Sequence, residues 1–153
     1  MNDLDIYSRK ILRELQLDSR RSIQELSDRV GLSGTPCWRR VKEMGETGLI
    51  RRYTVLLDRE KLGLNICCLV NVNLQRHVKD AIQNFEQAIG ERPEVVECFS
   101  ATGDADYSLK VIVPDIKAYD AFLNDVLFTL PGVANVRTSV VLREIKYETA
   151  LPV

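Results

Sequence analysis

Residues 22–44 read SIQELSDRVGLSGTPCWRRVKEM, and the way this stretch divides decides the fold. Ser22-Ile23-Gln24-Glu25 is an S-x-x-E capping box, whose two side chains satisfy amides that a helix start leaves free. Ile23, Leu26 and Val30 follow as an apolar stripe at helical spacing, and Gly31 stands where a left-handed C-cap is wanted. Leu32 packs into the turn, Ser33 or Thr35 caps a further helix, and Pro36 falls in its first turn, where the missing N–H costs nothing. Two helices joined through Gly31-Leu32-Ser33 make a helix-turn-helix, a pattern that many helical hairpins share.

The helix after the turn sharpens this reading by separating its faces. At about 100° per residue, Cys37, Val41 and Met44 line one side while Thr35, Arg39 and Lys42 point away, with Trp38 and Arg40 flanking the stripe. A recognition helix needs this division, one side holding it to its domain and the other carrying donors into a major groove. Arg39 can reach guanine edges, and Thr35 a thymine methyl or a phosphate. Arg40, nearer the packed side, suits a phosphate or an acidic neighbour. Trp38 reads as half-buried packing ahead of a DNA contact, and Ser33 and Lys42 complete the candidate set. Upstream, Leu4, Ile11, Leu12 and Leu15 form the stripe of a first helix capped by Asp3 or Asp5, which Asp18-Ser19-Arg20-Arg21 ends. Downstream, Gly48 precedes Ile50–Leu57, a run of strand composition that suits a wing or ribbon with Arg51 and Arg52 on phosphates.

The 153 residues hold one ordinary domain or two small ones. With 45% hydrophobic and 28% charged residues the chain is a globule rather than a disordered tail or fibrous repeat. No apolar run approaches the roughly 20 residues a bilayer span requires, and the N-terminus is charged from its third residue. The expectation is a cytoplasmic protein with no signal peptide and no membrane partner. The net charge of -1 conceals an asymmetry: 11 Lys+Arg stand against 9 Asp+Glu through Asp58, and 10 against 13 from Arg59 onward. Between Ser33 and Tyr53, five bases oppose Glu43 and Glu46. A basic patch on an otherwise acidic chain fits a DNA footprint, and it fits a solvated helix face equally well. Pattern, not charge, separates the two.

Beyond Asp58 the chain turns through a linker at 59–65 and changes period. Ile66, Cys68, Val70, Val72 and Leu74 alternate with Asn71, Asn73 and Gln75 as a half-buried strand. Val78, Ile82, Phe85 and Ile89 follow at helical spacing until Gly90 and Pro93. Val95–Ala101 reads as a strand, Thr102–Asp106 as a tight polar turn, and Tyr107, Leu109, Val111 and Val113 as one face of the next strand. Pro114-Asp115 opens a second helix carrying Ile116, Tyr119, Phe122, Leu123, Val126 and Leu127, which Pro131-Gly132 breaks. A last strand runs from Val133 to about Arg143. The order βαββαβ is the ferredoxin-like split βαβ, with four antiparallel strands and both helices on one face. Leu69 and Ile112 lie among polar residues on the open face, which is expected to meet a second copy. The fold class is therefore α+β: a winged helix-turn-helix over 1–58 and a ferredoxin-like domain over 66–153.

Taken together these pieces resemble the Lrp/AsnC (feast/famine) family of bacterial and archaeal transcription regulators, over essentially the whole chain. The resemblance rests on Ile11-Leu12, on 25–33, on Arg39-Arg40-Val41-Lys42, on Gly48-Leu49-Ile50, on Thr102-Gly103-Asp104-Ala105-Asp106-Tyr107 and on Pro131-Gly132-Val133. Each piece is weak alone; their order and spacing are specific. Ser8, where an aspartate is usual, and Gly45, in a Leu-Glu-rich helix end, depart from the pattern and bear on helix stability. Pro36–Arg40 and 144–152 are similar to a proteobacterial branch that includes regulators of amino-acid catabolism and cysteine detoxification. The resemblance implies a homodimer joined through the sheets, assembly of dimers into octamers, and a small amino-acid effector bound in a cleft between dimers. It further implies that Thr102, Gly103, Asp104, Ala105, Asp106 and Tyr107 line that cleft, with Thr138 and Ser139 approaching from the last strand.

The turn also makes chemical sense on its own. An amino-acid zwitterion needs N–H donors for its carboxylate and acceptors for its ammonium; a glycine turn exposes amides, and Asp104 or Asp106 supplies an acceptor. A hairpin turn in which the aspartate caps its own backbone explains the same residues. The four cysteines, Cys37, Cys67, Cys68 and Cys98, lack any zinc spacing and read as buried thiols. The single histidine, His77, reads as a surface residue opening a helix, and with no nucleophile–base pair or metal cluster the chain is not expected to be an enzyme or to hold a cofactor. Two other readings stand beside double-stranded DNA binding. An amino-acid-binding regulatory subunit of a metabolic enzyme would leave the basic helix unused. An RNA binder would need aromatics on the central strands, where Asn71, Asn73, Ser108 and Lys110 stand instead.

Overall fold

The computed structural model describes residues 4–75 and 78–153, so His77 lies outside the described residues. The chain divides into two units, 1–56 with 146–153, and 57–145. The first contains α1 (Ile6–Leu17), α2 (Ile23–Val30) and α3 (Gly34–Glu46). Asp5 caps α1 by accepting the Ser8 amide at 2.8 Å. The capping box at α2 forms in both directions: Ser22 Oγ accepts the Glu25 amide at 3.2 Å and Glu25 Oε2 accepts the Ser22 amide at 2.8 Å. The Ser22 amide, and after it the Ser22 hydroxyl at 2.8 Å, also hold the Glu25 carboxyl below its ordinary range. Gly31 ends α2 at φ +77, a left-handed position that side chains rarely adopt. Ile11, Leu12, Leu26, Val30, Cys37 and Met44 form the core of this unit.

Three features of the unit differ from the sequence reading. Ser33 is the N-cap residue of α3, but its side chain makes no capping bond. Residues 51–58 run without a strand assignment, since a strand exists only where a ladder supplies partners for its amides and carbonyls. Residues 146–153, expected in the second domain, make their contacts here. Gln16 donates to the Leu151 carbonyl at 3.1 Å and accepts its amide at 2.6 Å, and Val153 packs on the helical core.

The second unit opens with a turn in which Asp58 accepts the amides of Glu60 and Lys61 and Arg59 donates to the carbonyls of Leu64 and Asn65. Then follow β1 (Ile66–Leu74), α4 (Ala81–Gly90), β2 (Val95–Ser100), β3 (Tyr107–Val113), α5 (Ile116–Asp125), a 3-10 turn at Leu127–Thr129 and β4 (Val133–Val140). The strands form one antiparallel sheet in the order β2-β3-β1-β4. Strand alternation sends Cys68, Val70 and Val72, with Leu109 and Val111, into a core closed by Phe85, Ile89, Tyr119, Phe122 and Leu127. α4 begins three residues later than Val78; Ala81, Phe85 and Ile89 are its buried face, and Ile82, at helical spacing from Phe85, is 57% exposed. On the other face Leu69 is 50% exposed, and Phe99, on the edge strand, is 59% exposed. The sequence reading missed Phe99 because an irregularity between Val95 and Glu97 resets the alternation of β2. Among the described residues, no helix is long and apolar enough to cross a membrane.

Candidate nucleic-acid interface and ligand cleft

On α3, Cys37 and Met44 are buried while Thr35, Arg39 and Lys42 are exposed, so the division of faces expected from the sequence is present. Arg39 forms no salt bridge among the described residues and borders an open hollow with Glu43 and Gly48. Trp38 is 51% exposed, more open than the packing role expected of it, and Lys42 Nζ stands 5.3 Å from its ring centroid. Lys42 also reaches Glu46 at 3.6 Å, an exposed i,i+4 pair of small energetic weight. Of the two roles open to Arg40, the structure displays the acidic neighbour: Nη2 lies 3.1 Å from Asp5 Oδ2, and the guanidinium sits 5.9 Å from the Tyr7 ring. The Ser8 amide first, and Arg40 after it, hold the Asp5 carboxyl below the usual carboxylate range. Arg40 therefore ties α3 to the cap of α1. Arg51 and Arg52 are exposed on the segment that follows, which is neither helix nor strand.

The second site lies where the 101–106 turn meets the end of β1. Asp106 donates its amide to the Val72 carbonyl at 3.1 Å, and its Oδ2 accepts the Leu74 amide at 2.8 Å. Asn73 donates to the Asp104 carbonyl at 2.8 Å, while the Asp104 side chain is exposed and makes no hydrogen bond among the described residues. Gly103 adopts φ +123, which keeps the turn tight. Beneath it Tyr107 is buried, donates from its hydroxyl to Glu86 Oε1 at 2.6 Å, and packs 4.7 Å from the Phe85 ring. Burial, with the Glu86 carboxylate adding to it, pushes the Tyr107 phenol up to about 12.

A cleft of about 730 Å³ opens beside this turn. Ser100, Ala101, Asp106 and Tyr107 form one wall, and Gln75, Val78, Lys79, Ala81, Ile82 and Gln83 another, with Leu74 between. The mixture of apolar lining with a few polar groups suits a small zwitterion. Asp106 keeps acceptor capacity beyond the Leu74 amide. Of the residues expected at a ligand site, Asp106 and Tyr107 line the cleft, whereas Thr102, Gly103, Asp104 and Ala105 form the exposed turn above it. Thr138 and Ser139 lie elsewhere. They pair with Val70 and Leu69, Thr138 meeting Tyr119 on the helix-covered side and Ser139 standing on the opposite face. The wall at 78–83 was missed because its polar members look like an ordinary helix start.

Cys37, Cys67 and Cys68 are buried, but Cys98 is exposed, because the edge strand that carries it has a neighbour on only one side. Partial desolvation of the thiol, and after it the Glu86 carboxylate, nonetheless raise its pKa, opposite to what a reactive thiol requires.

Comparison with known proteins bears on both sites. Residues 4–51 match the family described as winged helix-turn-helix DNA-binding, and residues 67–151 match the Lrp/AsnC ligand binding domain. The leucine-responsive regulatory protein of Escherichia coli K12 is 44% identical over 149 residues, covering 97% of this chain and 91% of that protein. A Neisseria meningitidis transcriptional regulator solved in complex with L-Met superposes with a TM-score of 0.94 at 39% identity, covering 97% of this chain and 96% of that one. An AsnC family regulator of Agrobacterium tumefaciens gives 0.91 at 42% identity, covering 97% of each.

Proposed function

Because the chain belongs to the Lrp/AsnC family and is a DNA-binding transcription regulator with an amino-acid ligand-binding domain, we propose that α3 reads operator sequence and that a small amino acid in the cleft changes assembly or DNA affinity. The observation that carries the DNA reading is the outward face of α3, with Thr35 and Arg39 exposed opposite buried Cys37 and Met44. Ser33, Trp38 and Lys42 border that face, Arg51 and Arg52 grip phosphates, and Arg40 braces the helix. An amino-acid-binding enzyme subunit would give such a face no role.

Arg39→Ala is expected to weaken specific binding by about 1–3 kcal/mol and relax one base preference, whereas Arg51→Ala weakens all duplexes alike and lowers the salt slope by about one. Competition gel shifts on specific and random duplex separate the two. Equal losses on both duplexes for Arg39→Ala would remove that residue from base readout.

The effector reading rests on Asp106 in the cleft and on Asp104 and the exposed Gly103 turn beside it; Thr138 and Ser139, away from this cleft, have no part in it. Effector binding shifts an equilibrium only by its differential affinity for the two states. Asp104→Ala is expected to lose the amino-acid response while keeping DNA affinity, measured as gel shifts on the upstream region of its own gene with and without ligand. Leucine and methionine head the panel from the relatives, and cysteine from the branch suggested by 36–40 and 144–152. The protein acts by binding, without catalysis or a resident cofactor, in the cytoplasm. A homodimer joined through the Leu69 and Phe99 face, with octamers above it, supplies paired reading heads; light scattering with and without amino acids tests that assembly.

A further inference from the structure

One glycine stands behind the α4 wall of the cleft. Gly132 sits at φ +88 in the turn before β4, and a Cβ built there would lie 2.6 Å from Ala81 Cβ and 3.4 Å from Val78 Cβ. Its carbonyl accepts the Gln75 amide at 2.7 Å, which ties the turn to the residue that follows β1. Val78 and Ala81 line the cleft while Gly132 does not. Facing them across the cleft are Ser100, Asp106 and Tyr107, on the β2–β3 side of the sheet; Gly132 leads into β4, on the far side of β1. Anything added at Gly132 therefore pushes Val78 and Ala81 toward that facing wall. Asp80, directly before Ala81, holds a left-handed φ of 59, a position side chains rarely adopt.

We propose that Gly132 sets the width of the cleft, and with it the largest amino-acid side chain the cleft admits; this rests on the reading of the cleft as the effector site. Gly132 is a positioning residue that acts through Ala81 and Val78.

The test is calorimetric titration of the full chain with leucine and alanine. Gly132→Ala is expected to lower the leucine-to-alanine affinity ratio about tenfold, the scale of one or two methylenes in an apolar pocket. Loss of folded protein would lower both affinities alike and leave the ratio unmoved. Adding Ala81→Gly to Gly132→Ala removes the overlap but keeps the strained φ, so it is expected to restore the ratio. With the folded state of each variant established by circular dichroism, an unchanged ratio in folded Gly132→Ala, or a lowered one that Ala81→Gly does not restore, overturns the proposal. Val78→Phe serves as the separate check on the site. If it leaves leucine binding untouched, the cleft is not the effector site and the proposal falls with that reading; if the unmodified chain binds neither leucine nor alanine, the proposal alone is overturned.

Discussion

Phe85→Ala is expected to destabilise the ligand-binding unit by about 3–5 kcal/mol, the range for removing a large buried aromatic. Phe85 is fully buried at the centre of a core built from β1, β3, α4 and α5. Its ring supports Tyr107 at 4.7 Å, and the next residue, Glu86, accepts the Tyr107 hydroxyl at 2.6 Å. The substitution opens a cavity directly beneath the wall that carries Tyr107 and Asp106. Amino-acid binding is therefore expected to fall together with stability, whereas the core of the helical unit, which shares no residue with this one, keeps its own packing. Urea denaturation followed by circular dichroism measures the loss. A cost below about 1 kcal/mol would mean that the surrounding side chains close the gap, and that Phe85 does not hold up the cleft.

The second large effect is expected from Leu26→Ala, at about 2–5 kcal/mol. Leu26 is fully buried among Ile11, Val30 and Cys37, in a unit of only 1–56 with 146–153. Units of this size bury about 60% of the surface their unfolded chain exposes, less than larger domains do, and have little stability to lose. The helix-turn-helix is thus expected to unfold in a large part of the population and DNA binding to fail, while amino-acid binding measured by calorimetry persists. Leu26→Met, which conserves volume, is expected to cost less than about 1.5 kcal/mol and to bind DNA. Equal loss of ligand binding in Leu26→Ala would show that the two units do not unfold independently.

Much of this organisation is legible in local pattern. The Ser22–Glu25 capping box, the Gly31 cap and the Asp115 cap act within a single helical turn, so the sequence states them almost completely. The alternation of β1 and β3 and the two faces of α3 are equally local, because the period of the backbone alone decides which side chains share a face. Reading became weaker where geometry depends on a neighbour. Ile82 stands at helical spacing from Phe85 and Ile89, yet the side of α4 that meets the sheet is Ala81, Phe85 and Ile89, and Ile82 is left exposed. The strand expected at Ile50–Leu57 has no ladder among the described residues, since composition shows strand propensity and not the partner a strand requires.

By itself the sequence determined the two kinds of secondary-structure rhythm, the helix caps, the basic outward face of α3 and the glycine turn at 102–106. Only the tertiary structure decided that Arg40 is paired with Asp5, that Tyr107 leans on Glu86, that 146–153 packs on α1, and that Gly132 stands behind Ala81. The reason lies in reach. A cap or a face is set by residues within one or two turns of each other, whereas these pairings join residues about 20 to 140 positions apart, and their closeness is fixed by how the cores pack.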